Sequence, residues 1–239
     1  MRISVQIALA VSLVAALAAP ATSLTIDSFE VGGFNFSDDA STVNATFNEE
    51  SGLATTDVAG GVRLVRILAS AAPLGSATAT GVLAPLPGPT DDGAVLSVVA
   101  VPSGGAEYEF IYDGIANGLA DSTAGSLNLN LSAFTSLDVA MTAVGVTGFV
   151  KVTMSANGPN AVNDQTLAIV NGVLSFPLAA FGLNLASIQE IKVAIQGIQP
   201  GEVPIVTSIT AGPVPEPGTG LLFVAGLVGL GLRRRRASF

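Results

Sequence analysis

Between Leu24 and residue 212 the apolar residues of this chain come in short runs at every second position, and no stretch carries the three-and-four spacing of a long amphipathic helix. Gly, Pro, Asn, Asp or Ser closes each run. A period of two puts successive side chains on opposite faces of an extended strand, so a chain made of such runs must stack sheets to bury one face of each. Twelve segments are expected as strands: Leu24–Val31, Val43–Phe47, Val62–Leu68, Ala77–Leu83, Ala94–Val101, Ala106–Tyr112, Ser126–Leu131, Leu137–Val144, Phe149–Ser155, Gln165–Val170, Ile188–Gln196 and Ile205–Thr210. With about 190 residues, enough for one substantial core, the expected body is all-β, an antiparallel β-sandwich spanning residues 24–212.

The alternation can be followed residue by residue. In Phe149–Ser155 the side chains of Val150, Val152 and Met154 share one face, and in Glu190–Gln196 those of Ile191, Val193 and Ile195 do, with Lys151 and Lys192 on the solvent side. Asn171-Gly172 between two apolar runs signals a tight hairpin. The densest loop signal, Pro85-Leu86-Pro87-Gly88-Pro89 followed by Asp91-Asp92-Gly93, is expected to join two strands across the sandwich. No internal repeat supports a solenoid.

Composition limits the chemistry. The 239 residues include no His, Cys or Trp. Histidine acid/base catalysis, cysteine nucleophiles, disulfides and every metal site built on imidazole or thiolate are thereby excluded. Five of the nine basic residues lie at the ends, as Arg2 and Arg233–Arg236. The body keeps Arg63, Arg66, Lys151 and Lys192 against seventeen of the eighteen acids, a net of −13. Such a body is no partner for nucleic acid, because phosphate binding depends on neutralisation by Lys and Arg.

Both ends read as addresses. Residues 1–23 open with Arg2, continue through an apolar stretch over Ile7–Leu17 and close on small residues at Ala21-Thr22-Ser23, the three-part layout of a secretory signal peptide cut after Ser23 or after Ala21. Residues 213–239 carry Pro215-Glu216-Pro217, an uncharged run over Gly218–Leu232, and the basic stop Arg233, Arg234, Arg235 and Arg236. From Pro217 to Leu232 a helix would reach about 24 Å, short of a roughly 30 Å hydrocarbon core, so it inserts marginally as a single transmembrane helix. The arginines hold that end on the cytoplasmic side. This ending resembles the PEP-CTERM sorting signal of Gram-negative bacteria. The resemblance implies processing by an exosortase, a membrane-embedded protease, after tethering at the inner membrane, and then release to the cell surface or extracellular matrix with exopolysaccharide, as in a biofilm. In it Glu216 is recognised and is not catalytic.

The body also resembles the galactose-binding-like jelly roll, through the opening Ile26-Asp27-Ser28-Phe29-Glu30, the Gly60-Gly61-Val62-Arg63 lead into a strand, the Glu107–Gly114 segment with its Tyr-x-Phe-x-Tyr, and the late Ile188–Ile195 strand. If an ion is bound, that resemblance places it in a loop near Asp27 or Glu30.

Three site readings remain. Tyr108 and Tyr112, with Phe110, fall on one strand face and could stack a sugar ring, although most such stripes are core. In that case Glu107, Glu109, Ile111 and Asp113 would meet solvent. The acid clusters Asp38-Asp39, Glu49-Glu50, Asp91-Asp92 and Asp113 sit at turns, where oxygen-rich loops can take Ca2+, yet none has a known calcium-loop spacing and solvated turn acids explain them as well. A carboxylate-based glycosidase is the enzyme class that the inventory leaves open, with no pair identified. The expected function is an exported, exosortase-sorted surface or matrix protein with a non-catalytic body and no cofactor. A carbohydrate-binding module, with or without calcium, is the alternative.

Overall fold

The faces expected of two strands locate the core. Val150, Val152 and Met154, like Ile191, Val193 and Ile195, are fully buried. The structure, a computed structural model, describes residues 22–38, 45–69, 78–85, 92–99, 106–116, 126–156 and 162–213. The signal peptide over 1–23, the sorting motif, the membrane helix over 218–232 and the basic stop fall outside these residues, apart from Thr22 and Ser23.

Among the described residues thirteen strands follow in order: β1 (Leu24–Asp27), β2 (Asn35–Asp38), β3 (Thr46–Ser51), β4 (Val62–Ala69), β5 (Thr78–Pro85), β6 (Asp92–Val99), β7 (Ala106–Tyr112), β8 (Phe134–Thr142), β9 (Phe149–Ala156), β10 (Val162–Ala168), β11 (Gly172–Pro177), β12 (Ile188–Ile198) and β13 (Ile205–Pro213). They form two antiparallel sheets. One has six strands in the order β10-β9-β12-β7-β4-β3; the other has seven, in the order β11-β8-β13-β6-β5-β2, with β1 added beside β13. From β4 onward the chain changes sheets at nearly every connection, the winding of a jelly roll. Residues Ser23–Gly212 make one compact unit.

Several local expectations fail, each for a physical reason. Ser126–Leu131 is not a strand. Asn128 turns to a φ of 50°, and only Leu129 bridges to Ile188. Conversely, β2 and β11 carried no clear alternation. The Pro85–Gly93 region does not cross the sandwich, since β5 and β6 pair with each other, Pro85 opposite Asp92 and Thr78 opposite Val99. Asn171-Gly172 does not close a hairpin either. β10 pairs with β9 and β11 with β8, so the chain passes from one sheet to the other there. Asn171 Oδ1 accepts the Ala143 N–H at 3.0 Å, which spends on a sheet-to-sheet corner the side chain that a two-residue turn would have used.

That corner leans on the β8–β9 turn, where Ile169 N–H donates to the Gly148 carbonyl. Gly148 adopts a φ of 113°, and a Cβ on it would run into the Gln196 carbonyl oxygen of β12. The turn passes too close to a neighbouring backbone for any side chain. Gly148→Ala is expected to lower the unfolding free energy by about 2–4 kcal/mol, read as a lower urea midpoint at unchanged slope. An unchanged midpoint would remove this close approach from the account.

Candidate functional site

One arginine lies on the wrong face for its charge. Arg63 has the strand parity of Val65 and Ile67, which are fully buried, and it is itself fully buried. An isolated guanidinium there would be prohibitively costly, so partners must surround it. Arg63 Nη1 donates to both carboxylate oxygens of Asp27 on β1 at 2.9 and 3.0 Å. Its Nε and Nη2 donate to Glu50 Oε2 on β3 at 2.9 and 2.7 Å, and Nη2 also donates to the Val31 carbonyl at 2.8 Å. Tyr112 Oη on β7 donates to Asp27 Oδ2 at 2.8 Å. Backbone N–H groups finish the cluster, Phe29 donating to Asp27 and Gly33 to Glu50. The rings of Phe29 and Phe34 face the guanidinium carbon at 5.4 and 5.7 Å. Phe29 in turn meets Phe110 edge-on with centroids 5.2 Å apart.

Electrostatics follow from this packing. Burial pushes the Asp27 carboxyl up, opposed by Arg63 and by the hydrogen bonds from Phe29 and Tyr112. Burial also works against the Arg63 charge, and Asp27 with Glu50 outweighs it. For Tyr112, burial first and the Asp27 carboxylate second push the phenol well above its ordinary value. Every donor of the guanidinium that reaches the core is spent on the protein. The cluster clamps β1 of one sheet to β3, β4 and β7 of the other, and it offers no open position to a ligand.

Tyr108 and Tyr112 therefore cannot form a sugar platform. Both are fully buried, because β7 lies in the middle of its sheet with its Tyr-x-Phe-x-Tyr face turned into the core. The opposite face does not meet solvent as expected either. Glu109, Ile111 and Asp113 are buried as well, and Glu107 is partly covered. Of the residues proposed for an ion near β1, Asp27 is engaged by Arg63. Among the described residues no group of three or more carboxylates is arranged to hold a metal. Asp38 accepts the Ala69 N–H and Asp113 accepts the Ile115 N–H, both roles in which acids shape turns and strand ends.

The outer face of the six-stranded sheet carries the rest of the body's cations. Phe47, Arg66, Glu109, Ala194 and Lys151 stand in register across five strands. Phe149, Gln196 and Glu107 form a parallel row. Arg66 Nη1 donates to Glu109 Oε2 at 2.8 Å, and Gln196 Nε2 to Glu107 Oε1 at 2.9 Å. Burial pushes the Glu109 carboxyl up, while Arg66 and Lys192 pull it down. Phe47 and Phe149 are exposed, at 42% and 52%. All four basic residues of the body lie in this sheet, and the seven-stranded sheet has none.

β13 ends at Pro213, with Val214 alone separating it from Pro215-Glu216-Pro217. Residues 213–236 match the family of the PEP-CTERM protein-sorting motif. The tail carries the PEP-CTERM sorting motif. Among curated proteins none matches the chain. Among solved structures, the family 11 carbohydrate-binding module from Clostridium thermocellum in complex with a β-1,3-1,4-mixed-linked tetrasaccharide is similar at 10% identity and a TM-score of 0.41, covering 82% of this chain and 98% of that one. The solution structure of CtCBM11 is similar at 12% identity and a TM-score of 0.44, covering 83% and 99%. The enzymatically active domain of tailspike protein 4 of bacteriophage CBA120 is similar at 12% identity and 0.33, covering 74% and 20%.

The clamp predicts how alkali acts. A phenol whose pKa is raised by folding contributes stability that is complete below its unfolded value near 10 and is lost as the pH climbs through the higher folded value. With two tyrosines and no tryptophan in the chain, a Tyr108→Phe variant leaves Tyr112 as the sole phenol. Its phenolate absorbance is expected to appear only together with unfolding; reversible ionisation near pH 10 in the intact fold would contradict the clamp.

Proposed function

We propose that the chain is an exported surface or extracellular-matrix protein, delivered by an exosortase that acts on Pro215-Glu216-Pro217, and that its sandwich is a non-catalytic body. The observation that carries this reading is the sorting motif over 213–236 joined almost directly to the last strand. The two prolines withhold backbone donors and keep the junction extended, a form that a protease cleft can bind. The segment over 218–232 would seat in the inner membrane, with Arg233–Arg236 resisting translocation. A leader over 1–23 would bring the body across first, and residues 24–212 would be the delivered domain. A body at −13 would repel nucleic acid, anionic membrane surfaces and acidic polysaccharides alike unless divalent cations bridged them, so association with exopolysaccharide in a biofilm would call for a neutral glycan or such bridging.

Four of the described carboxylates fit a non-catalytic body. Asp27 and Glu50 are spent on Arg63, Glu109 on Arg66, and Glu107 accepts from Gln196. A glycosidase needs two carboxyls facing each other about 5–10 Å apart across a cleft, and Asp27, Glu50 and Glu109 are committed to arginines instead.

A second reading, carbohydrate binding, moves from the buried tyrosines to the outer face of the six-stranded sheet. There Phe149 stands beside Gln196 and Glu107, an exposed ring next to an amide and a carboxylate, the pairing that can stack a sugar ring and fix its hydroxyls. On a glycan array that includes the native host's own exopolysaccharide, Phe149→Ala is expected to weaken any bound signal about tenfold or more. A signal unaffected by Phe149→Ala, or none with or without calcium, ends this reading.

For sorting, Glu216→Ala and deletion of Arg233–Arg236 are each expected to leave the fold unchanged and to alter processing and retention in the membrane fraction. Identical mature C-termini in the wild type and both variants, read by intact mass, would contradict the proposal.

A further inference from the structure

The last strand before the sorting motif is occupied along both edges. β13 has β8 on one side; on the other it pairs first with β6, Ile205 opposite Val95 and Val206 opposite Ala94, and then with β1. β1 takes its final stretch, Leu24 opposite Ala211, Thr25 opposite Thr210 and Asp27 opposite Ile209. Ala211 is fully buried, and a Cβ on Gly212 would come within 2.5 Å of Ser136 Oγ and 2.7 Å of Asp138 Oδ2 on β8. The strand is therefore paired sheet through Ala211, four residues before Pro215. A protease that binds its substrate as an added strand needs those backbone groups free.

We propose that the β1–β13 ladder gates the sorting reaction: the exosortase gains the residues upstream of Pro215 only when β1 lifts from Thr210 and Ala211. The proposal rests on the sorting reading. β1 suits such a gate. It has four residues, it is the first strand of the body, and its register slips by one residue between Thr25 and Asp27. Its outer half, Leu24 and Thr25, is only partly buried, whereas Ile26 and Asp27 are sealed into the core and the Arg63 clamp. Fraying would thus be limited to Leu24 and Thr25, the two residues paired with Ala211 and Thr210, with the clamp stopping it from spreading.

The chain has no cysteine, so one engineered disulfide can lock the gate without competing thiols. Thr25 and Thr210 are directly opposed, both only partly buried, and the roughly 4.5–5.5 Å between opposed Cα atoms suits a disulfide. The full-length chain bearing Thr25→Cys and Thr210→Cys is expressed in its native host, and tail removal is followed by pulse-chase with and without reductant. A third form adds a Gly-Ser linker of about ten residues between Pro213 and Val214, long enough to give the protease an unpaired strand. The oxidised chain is expected to be cut at least about tenfold more slowly than the reduced one, and the linker should abolish that difference. Equal rates for the oxidised and reduced chains overturn the gate, as does a linker form that stays slow when oxidised. Should the wild type and Glu216→Ala both keep their tails, the sorting reading itself falls, an outcome that the wild-type arm separates from failure of the gate alone.

Discussion

A positive charge sealed in a hydrocarbon interior is the constraint on which the rest of this fold hangs. Arg63 would be among the most expensive groups to bury if left alone, and its cost is offset only by a complete set of partners drawn from β1, β3, β7 and the loop after β1. Because Asp27 belongs to one sheet while Arg63, Glu50 and Tyr112 belong to the other, the ion cluster does what apolar contacts do poorly: it fixes which strand faces which, and in what register. Position then passes outward. The clamp sets β1, β1 sets one edge of the end of β13, and the end of β13 sets where the sorting tail begins.

The architecture was legible because it depends on a period. The buried faces of β9 and β12 follow from Val150, Val152 and Met154 and from Ile191, Val193 and Ile195 without further information. Strand partners were not legible, since the same Asn-Gly pair can turn a hairpin or a corner between sheets; what decides is whether Asn171 finds the Ala143 N–H nearby, a contact between distant parts of the chain. β7 shows the limit of alternation. Its two faces read as core and solvent, yet a strand in the middle of a sheet can be covered on both, and Glu109, Ile111 and Asp113 are. The Arg63 cluster left a readable sign in the parity of Arg63 with Val65 and Ile67: an arginine on an apolar face requires acids, although nothing local names Asp27 or Glu50 as those acids.

Function divides along the same line. The tail's message is linear, in Pro215-Glu216-Pro217, an apolar run and four arginines, so the sequence suffices to read it. Whatever the body contacts after delivery would be written on a surface assembled from strands far apart in the chain. The row of Phe149, Gln196 and Glu107 joins residues from β9, β12 and β7, and the concentration of all four body cations in one sheet appears only once the strands are ordered.

The central claim is that this sandwich is delivered by cutting at its proline-flanked glutamate. The most direct measurement is the intact mass of the native protein recovered from the host's surface fraction. A chain that ends near residues 213–217 and lacks Arg233–Arg236 is the result this account predicts. Surface material that still carries all four arginines would contradict it.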